Sequence, residues 1–384
     1  MLNVETLNIP DWSTFRAFIP EAVMLGAFLA ALLGDIVSRR RAWVPFSIVL
    51  LACVTSLAYS VAQLDIAAPV SILGQLIVVD GLSAFFRVLF AFVATITVLS
   101  SWSSEEIMGK DREHKGEYYA LIALMTGGMM IMAEARDFIM LYLSLELVSL
   151  TSYVMAGYMR GSLRSTEASL KYMIFGAMSS GIMLFGMSLL YALTGSMTFE
   201  GIRDALMSGN ADPLALLATT AMMLAGHGYK IAMVPFHFWA PDVYEGAPTP
   251  IAAFFGVGPK AAGFALMIRF FYTSMQPVVD QVDWPMLIAV LSVATMTWAN
   301  LAAVRQDNVK RMLAFSSVAH VGYLLMAFLM LTDQGLQAIL FSLTGLPPTA
   351  GFIGKFNLFA EVMRQEWYWL AIVGVLNSVV SLFY

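Results

Sequence analysis

Apolar residues dominate the chain in long runs, which short clusters of charged and polar residues separate. Most runs are about 20 residues long, the length that an α-helix needs to cross a hydrocarbon core of roughly 30 Å. The sequence has no alternating segments of about ten residues, the pattern typical of a transmembrane β-barrel. The pattern predicts an all-α, polytopic transmembrane helical bundle.

The hydrophobic runs and the charges between them place the membrane spans. The first run is too long for a cleavable signal peptide and lacks the small residues of a cleavage site, so we expect it to remain as a span. A proline-interrupted apolar stretch at 336–360 and a last span from about residue 367 follow the others. The ten spans that precede these two segments are predicted at 17–38, 43–63, 82–102, 118–134, 138–159, 168–193, 213–239, 249–273, 284–304 and 308–331.

Basic residues between the spans fall mainly on one side of the predicted membrane. The opposite side carries Arg136 and Arg203 among many acidic residues. By the positive-inside rule, the basic side faces the cytoplasm and the N-terminus lies outside. The basic side carries Arg39, Arg40, Arg41, Lys110, Arg112, Lys115, Arg160, Arg164, Arg305, Lys310 and Arg311.

The composition agrees with a membrane protein. Of the 384 residues, 59% are hydrophobic and 12% are charged, whereas soluble domains carry about 25% charged residues. The formal net charge of −5 says little about partners, because most charges lie in short loops, and we expect no nucleic-acid partner. The single cysteine, Cys53, excludes an internal disulfide and cannot by itself ligate an iron–sulfur cluster.

Four ionisable residues lie deep within predicted spans: Glu146, Lys230, Lys260 and Lys355. A charge near the bilayer centre costs roughly 2.5–3.5 kcal/mol on insertion scales, and such residues often mark proton or ion pathways. We therefore interpret the four as candidates for a proton pathway. The alternative is a structural role, in which hydrogen bonds or permanent ion pairs satisfy each charge.

Proline lies close to each buried lysine. Proline removes a backbone donor and interrupts a helix. Interrupted helices are tolerated inside a membrane only where they are buried or line a hydrated cavity. The pattern predicts lysines that exchange protons with water in such a cavity. Pro235 and Pro241 follow Lys230, Pro259 precedes Lys260, and Pro347 and Pro348 precede Lys355.

Other ionisable residues within the spans are weaker candidates. His227, His237 and His320 would extend a hydrogen-bonded chain, because histidine titrates near physiological pH; taken singly, each is more readily a hydrogen-bonded core residue. Lys171 is either a relay residue or a lysine whose ammonium group reaches the interface.

The remaining charges give no sign of metal or cofactor chemistry. Glu21, Asp35 and Arg87 in the first helices are interpreted as helix-end or packing charges. Glu245 and the nearby histidines fit no zinc motif, and the sequence has no P-loop, dinucleotide motif or CxxC. We expect no metal and no redox cofactor in this chain.

Five stretches of the chain are recognisable as a set. Together they resemble the antiporter-like membrane subunits of respiratory complex I, and PDVYEGAPTP with the lysine of GFIGKF resembles the subunit N branch. The resemblance runs from about residue 118 to 384. The stretches read LYLSLELVSLTSY, STEASLKYMIFGAMSSG, GHGYKIAMVPFHFWAPDVYEGAPTPIAAFF, NVKRMLAFSSVAHVGYLL and LTGLPPTAGFIGKF.

The resemblance implies two inverted five-helix repeats, each with a broken helix. We therefore expect N-terminal helices over 1–117, a first repeat over 118–273 and an incomplete second repeat over 274–384. By this resemblance, Glu146 and Lys230 form a coupled pair in the first half-channel. Lys260 is the central relay, and Lys355 is the lysine of the second half-channel. His237, Lys171 and His320 hold supporting positions.

The activity that the resemblance implies is proton translocation by a membrane subunit of NADH–quinone oxidoreductase. The whole complex is expected to use NADH, FMN, iron–sulfur clusters and quinone, none of them bound by this chain. Expected partners are neighbouring antiporter-like and small membrane subunits, the lipid bilayer and protons, in a bacterial inner membrane. The alternatives are a subunit of a cation/proton antiporter or membrane-bound hydrogenase, and a scaffold subunit whose charges only lock helices together.

The chain departs from the family pattern in two places. Relatives have a full helix, a loop and then the helix with LPPTAGF, whereas nine residues separate Gln337 from Pro347 here. We expect either a deletion or, preferably, a stretch of chain that is missing near 341–342. The chain also ends at Tyr384 within an apolar segment where relatives continue.

Overall fold

The computed structural model describes residues 12–38, 41–65, 68–74, 76–108, 115–159, 161–209, 211–344 and 349–383. The chain divides into two compact units. The N-terminal unit comprises Met1–Met155 with Met197–Phe199, and the C-terminal unit comprises Ala156–Ser196 with Glu200–Tyr384. Several residues that carry predictions lie outside the described ranges, namely Arg39, Arg40, Lys110, Arg112, Arg160, Pro347, Pro348 and Tyr384.

The N-terminal unit is a bundle of apolar helices with one small β-hairpin. The hairpin joins strands β1 (Val70–Ile72) and β2 (Ile77–Val79), which pair in antiparallel fashion. The helices are α1 (Trp12–Ala17), α2 (Ile19–Val37), α3 (Trp43–Ala62), α4 (Gly81–Trp102), α5 (Glu105–Met108), α6 (Gly116–Glu134) and α7 (Phe138–Ala156).

The C-terminal unit holds the remaining helices and three short helical turns. Helix α12 continues into one π-helical turn at Phe271–Met275, and short 3₁₀ turns occupy Gln276–Val278 and Ser381–Phe383. The helices are α8 (Leu163–Thr194), α9 (Phe199–Met207), α10 (Pro213–Ile231), α11 (Trp239–Gly246), α12 (Thr249–Phe270), α13 (Trp284–Ala303), α14 (Val309–Phe328), α15 (Asp333–Thr344), α16 (Thr349–Arg364) and α17 (Tyr368–Val380).

The predicted polytopic helical bundle is confirmed. Within the described ranges, nine helices are long and apolar enough to cross a membrane. The sequence placed the start of α8 five residues too late, at 168 instead of Leu163. That helix begins where the Ser162 side chain accepts a hydrogen bond from the Ser165 backbone, a cap that hydropathy does not register.

The end of α10 is also earlier than predicted. The helix ends at Ile231, four residues before Pro235, instead of at residue 239. Ala232 adopts the left-handed conformation with φ 62°, and Met233 N donates to Gly228 O at 2.7 Å. This backbone arrangement ends helices by satisfying their last carbonyls. The interruption therefore begins next to Lys230 rather than at the proline.

The hairpin was not predicted, because each strand has only three residues. Its apolar side chains Ile72, Ile77 and Val79 are buried and form a small cluster with Ala17. The chain then enters α4 through Asp80, whose side chain accepts a hydrogen bond from Ser83 N at 2.9 Å. The hairpin thus fixes one end of α4.

Helices α13 and α14 approach each other closely at Gly322. A Cβ atom at this position would lie 2.7 Å from the backbone nitrogen of Met296. The Ser292 hydroxyl donates to the Gly322 carbonyl at 2.6 Å. The absence of a side chain at Gly322 therefore lets α13 contact the backbone of α14, which carries several residues of the candidate site.

We expect Gly322→Val to destabilise the C-terminal unit by about 1–3 kcal/mol, because the added side chain forces the two helices apart. The measurement is the midpoint of heat-induced aggregation of the detergent-solubilised protein. Gly181→Val is the matched control, since a Cβ at this glycine of α8 meets no atom within 4 Å. Equal midpoints for both variants would contradict the close contact.

Candidate functional site

Lys230 lies in the last turn of α10, next to the interruption between α10 and α11. The residue is only 1% exposed. Its aliphatic stem lies against Gly263 of α12, where an added Cβ would be 3.3 Å from Lys230 Cγ. Close contact between α10 and α12 thus buries the lysine at the point where the helix stops.

Hydrogen bonds from bulky side chains hold the interruption in place. Trp239 Nε1 donates to Tyr229 O at 3.0 Å, and the Tyr229 hydroxyl donates to Tyr172 O at 3.0 Å. Val234 N donates to the Thr295 hydroxyl at 3.1 Å. A helix that ends inside a protein leaves backbone groups without partners, and these contacts bind two backbone groups at the interruption, Tyr229 O and Val234 N. The broken segment is therefore a fixed element of the C-terminal unit.

Lys260 lies in the middle of α12 and is 4% exposed. Its ammonium nitrogen donates to the Ser317 hydroxyl at 2.7 Å and lies 5.5 Å from the centre of the Tyr244 ring. No carboxylate of the described residues forms an ion pair with it. A buried ammonium group held by one hydroxyl and one aromatic face has little to compensate its charge. Such a lysine is suited to releasing its proton.

A cavity of about 470 Å³ begins where Lys260 is held. Ser317 both accepts the Lys260 hydrogen bond and lines this cavity, which also reaches His320 and Lys355. The cavity is therefore lined by two of the predicted site residues, His320 and Lys355, and by the hydroxyl that binds the third, Lys260. Its lining residues are Met312, Leu313, Ser316, Ser317, Ala319, His320, Tyr323, Lys355 and Ser381.

Lys355 and His320 each contact a polar or aromatic neighbour at the cavity. The Lys355 ammonium nitrogen lies 4.9 Å from the centre of the Tyr323 ring, a cation–π contact. His320 Nε2 lies 3.2 Å from the Ser342 hydroxyl. Among the described residues no carboxylate forms an ion pair with Lys355. The prolines that were predicted to break the helix beside it lie outside the described ranges.

Glu146 lies on α7 in the N-terminal unit, whereas its predicted partner Lys230 belongs to the C-terminal unit. The pairing of these two residues stays a prediction. Ser144 and Ser149, which lie close to Glu146 in the sequence of α7, donate to carbonyls of their own helix at 2.6 and 2.7 Å. Glu146 Oε1 is buried and accepts no hydrogen bond from the described residues.

The other two histidines are buried in different settings. His227 Nδ1 lies 2.8 Å from Met223 O, one turn earlier on α10, so this residue is a hydrogen-bonded core histidine. His237 lies within the interruption between α10 and α11 and is 2% exposed, with its ring 6.3 Å from that of Trp298. No group of three or more potential metal ligands occurs in the described part of the chain.

Lys171 belongs to an ion-pair network on the rim of the C-terminal unit and does not line the cavity. Its ammonium nitrogen lies 2.6 Å from both Glu167 Oε1 and Asp242 Oδ2. Arg311 also contacts Asp242, and its Nη1 lies 3.0 Å from Glu245 Oε2. The side chain of Lys171 is 39% exposed. These contacts give Lys171 permanent counter-charges, unlike Lys260.

The sequence interpretation did not include Ser317 or Tyr323 in the site. A signal was present, since Ser317 and His320 are three residues apart on α14 and share one helix face. Tyr323 continues that face by three more residues. Nothing in the sequence indicated that Lys260 of α12 would reach this face.

The sequence of the chain matches known proteins over nearly its whole length. A family described as "NADH:quinone oxidoreductase/Mrp antiporter, TM" matches residues 135–344 and 339–381. NADH-quinone oxidoreductase subunit N 2 of Sorangium cellulosum is 40% identical over 449 residues, which cover 99% of this chain and 88% of the relative. The two family matches overlap over residues 339–344, where a missing stretch of chain is predicted.

Solved structures share the fold. A chain of respiratory complex I from Thermus thermophilus with bound aureothin superimposes with a TM-score of 0.77 at 29% identity, covering 95% of this chain and 87% of that one. A chain of the Mrp complex from Dietzia gives a TM-score of 0.82 at 20% identity, covering 96% and 78%, and shares the fold alone. The chain belongs to the NADH:quinone oxidoreductase/Mrp antiporter family of transmembrane proteins.

Proposed function

We propose that this protein is a proton-translocating membrane subunit of a complex I-type NADH–quinone oxidoreductase. The name of the Sorangium relative and the family match support this assignment. The observation that carries it is the setting of Lys260, a buried ammonium group that a hydroxyl connects to a polar cavity. A scaffold needs charges that are permanently paired, whereas proton transfer needs amines that can lose and regain a proton.

The proposed path leads from the broken helix to the cavity. Lys230 passes its proton toward Lys260, Ser317 relays it into the cavity, and water there carries it past His320 to Lys355. His237 and Lys171 are proposed as supporting positions outside the path itself, His237 within the interruption and Lys171 through the ion pair that joins α8 to α11 at the rim.

We propose that Glu146 acts as the switch for Lys230, the role that the family resemblance implies for this pair. A nearby carboxylate favours the charged form of a lysine, so withdrawal of Glu146 promotes proton release from Lys230. Moving one charge against 100 mV requires about 2.3 kcal/mol. A hundredfold change in the proton affinity of Lys230 corresponds to about 2.7 kcal/mol. One switch of this kind is therefore large enough to drive the transfer.

The energy for the switch comes from other subunits. In the proposed assembly NADH, FMN, iron–sulfur clusters and quinone are bound elsewhere, and neighbouring antiporter-like and small membrane subunits transmit the change.

We place the assembly in a bacterial inner membrane with the N-terminus outside, because of the distribution of basic residues between the spans. We also propose the two inverted repeats, over 118–273 and 274–384.

We expect Lys230→Met in the whole complex to lower the number of protons moved per electron pair by the share that this subunit contributes, because the proposed path starts at Lys230. The measurement is proton uptake by vesicles during NADH oxidation. Arg305→Gln, which removes an exposed cation, is the control and should pump normally. If the Lys230→Met complex oxidises NADH at the normal rate and still pumps as many protons, the proposal is contradicted.

We expect Ser317→Ala to reduce proton translocation several-fold without loss of assembly, because the Lys260 ammonium group loses its hydrogen bond to the cavity wall. A hydrogen bond to a charged group contributes about 1.5–3 kcal/mol. Ser316→Ala is the matched control, since Ser316 lines the same cavity and does not contact Lys260. Equal pumping by both variants would show that Ser317 is not on the path.

A further inference from the structure

A cluster of three charged side chains lies inside the N-terminal unit, outside the proposed path. Glu21 is in the first turn of α2, Arg87 is on α4 and Glu134 is the last residue of α6, and all three are 0% exposed. Arg87 binds Glu21 through two contacts, Nε to Oε1 at 2.6 Å and Nη2 to Oε2 at 2.8 Å. Glu134 Oε1 also lies 2.6 Å from Arg87 Nε.

The hydrogen atoms available do not satisfy both carboxylates. Nε of an arginine carries one hydrogen, and here two carboxyl oxygens lie at 2.6 Å from it. Both carboxyl groups therefore face the same nitrogen, and two charged carboxylates that share one donor repel each other unless one of them carries a proton. Glu134 Oε2 is buried without a hydrogen-bond partner, so no other donor in the described residues supports a charge on Glu134.

The charge balance leads to the same conclusion. Arg87 is the sole basic residue on helices α2, α3, α4 and α6, so two buried carboxylates would face one guanidinium group. Burying an uncompensated carboxylate is strongly unfavourable. The other acidic groups of these helices, Asp35 and Glu117, lie near the opposite ends of α2 and α6.

The charged groups around this cluster do not alter that balance. Arg16 is exposed, Arg136 donates to the Ser71 hydroxyl at 3.1 Å, and Asp80 accepts the capping hydrogen bond of α4. Gln63 Oε1 accepts from Arg87 Nη1 at 2.9 Å and carries no charge.

We propose that Glu21 and Glu134 form a further proton-binding site, which holds one proton between two carboxyl groups beside Arg87. Glu134 is the protonated partner, because Glu21 makes the two-point contact with the guanidinium group. The ligand is a proton from the aqueous phase next to the start of α2 and the end of α6, the side predicted to lie outside. The bound proton neutralises the cluster and allows α2, α4 and α6 to pack together.

The test compares infrared spectra of the assembled complex with and without Glu134→Gln. We expect this variant to assemble normally, because an amide replaces a neutral acid and Glu21 still balances Arg87. The variant should lose the carbonyl band of one protonated carboxyl group. Glu117→Gln, on the same helix but exposed, is the matched control and should keep that band.

A second variant tests the charge balance itself. Glu21→Gln combined with Glu134→Gln leaves the buried Arg87 without a counter-charge, so this double variant should fail to assemble. Retention of the band in Glu134→Gln, failure of Glu134→Gln to assemble, or normal assembly of the double variant would each overturn the proposal. None of these measurements depends on proton pumping, so they are independent of the proposed function.

Discussion

The cost of placing a charge among apolar helices is the constraint on which the rest of this structure depends. Every buried ionisable group must find a counter-charge, a hydrogen-bond partner or water. The chain meets this requirement in different ways in its two units. The Arg87 cluster of the N-terminal unit is a compact group whose charges compensate one another. The buried lysines of the C-terminal unit lie beside a helix interruption and a polar cavity.

This contrast separates charges with a structural role from charges that can take part in proton transfer. Arg311 and Lys171 each contact carboxylates at the rim of the C-terminal unit, and those contacts tie α8, α11 and α14 together. Lys260 has a hydroxyl and an aromatic ring instead. These two interactions are weaker than an ion pair with a carboxylate, and the Ser317 hydroxyl lines the cavity. The family to which the chain belongs gives this difference a function, since a proton pump requires amines whose charge can change.

The sequence located the nine helices of the described ranges that are long and apolar enough to cross a membrane, because hydropathy over about 20 residues is a local property. It also placed Lys230 next to an interrupted helix and Lys260 inside a buried one. It did not locate the interruption, because a left-handed residue at Ala232 ends α10 and alanine carries no signal for that conformation. Arg87 was interpreted as a helix-end or packing charge, although its partners Glu21 and Glu134 are 66 and 47 residues away in the chain. Contacts of that kind depend on tertiary structure and not on local pattern.

The central claim is that a hydrated path connects the buried lysines of the C-terminal unit. A high-resolution cryo-EM map of the assembled complex tests this most directly. The account predicts ordered water in the cavity, hydrogen-bonded to Ser317, His320 and Lys355 and continuous with the Lys260 ammonium group. A dry cavity filled by a lipid tail, or a carboxylate of a neighbouring subunit in a fixed ion pair with Lys260, would contradict it.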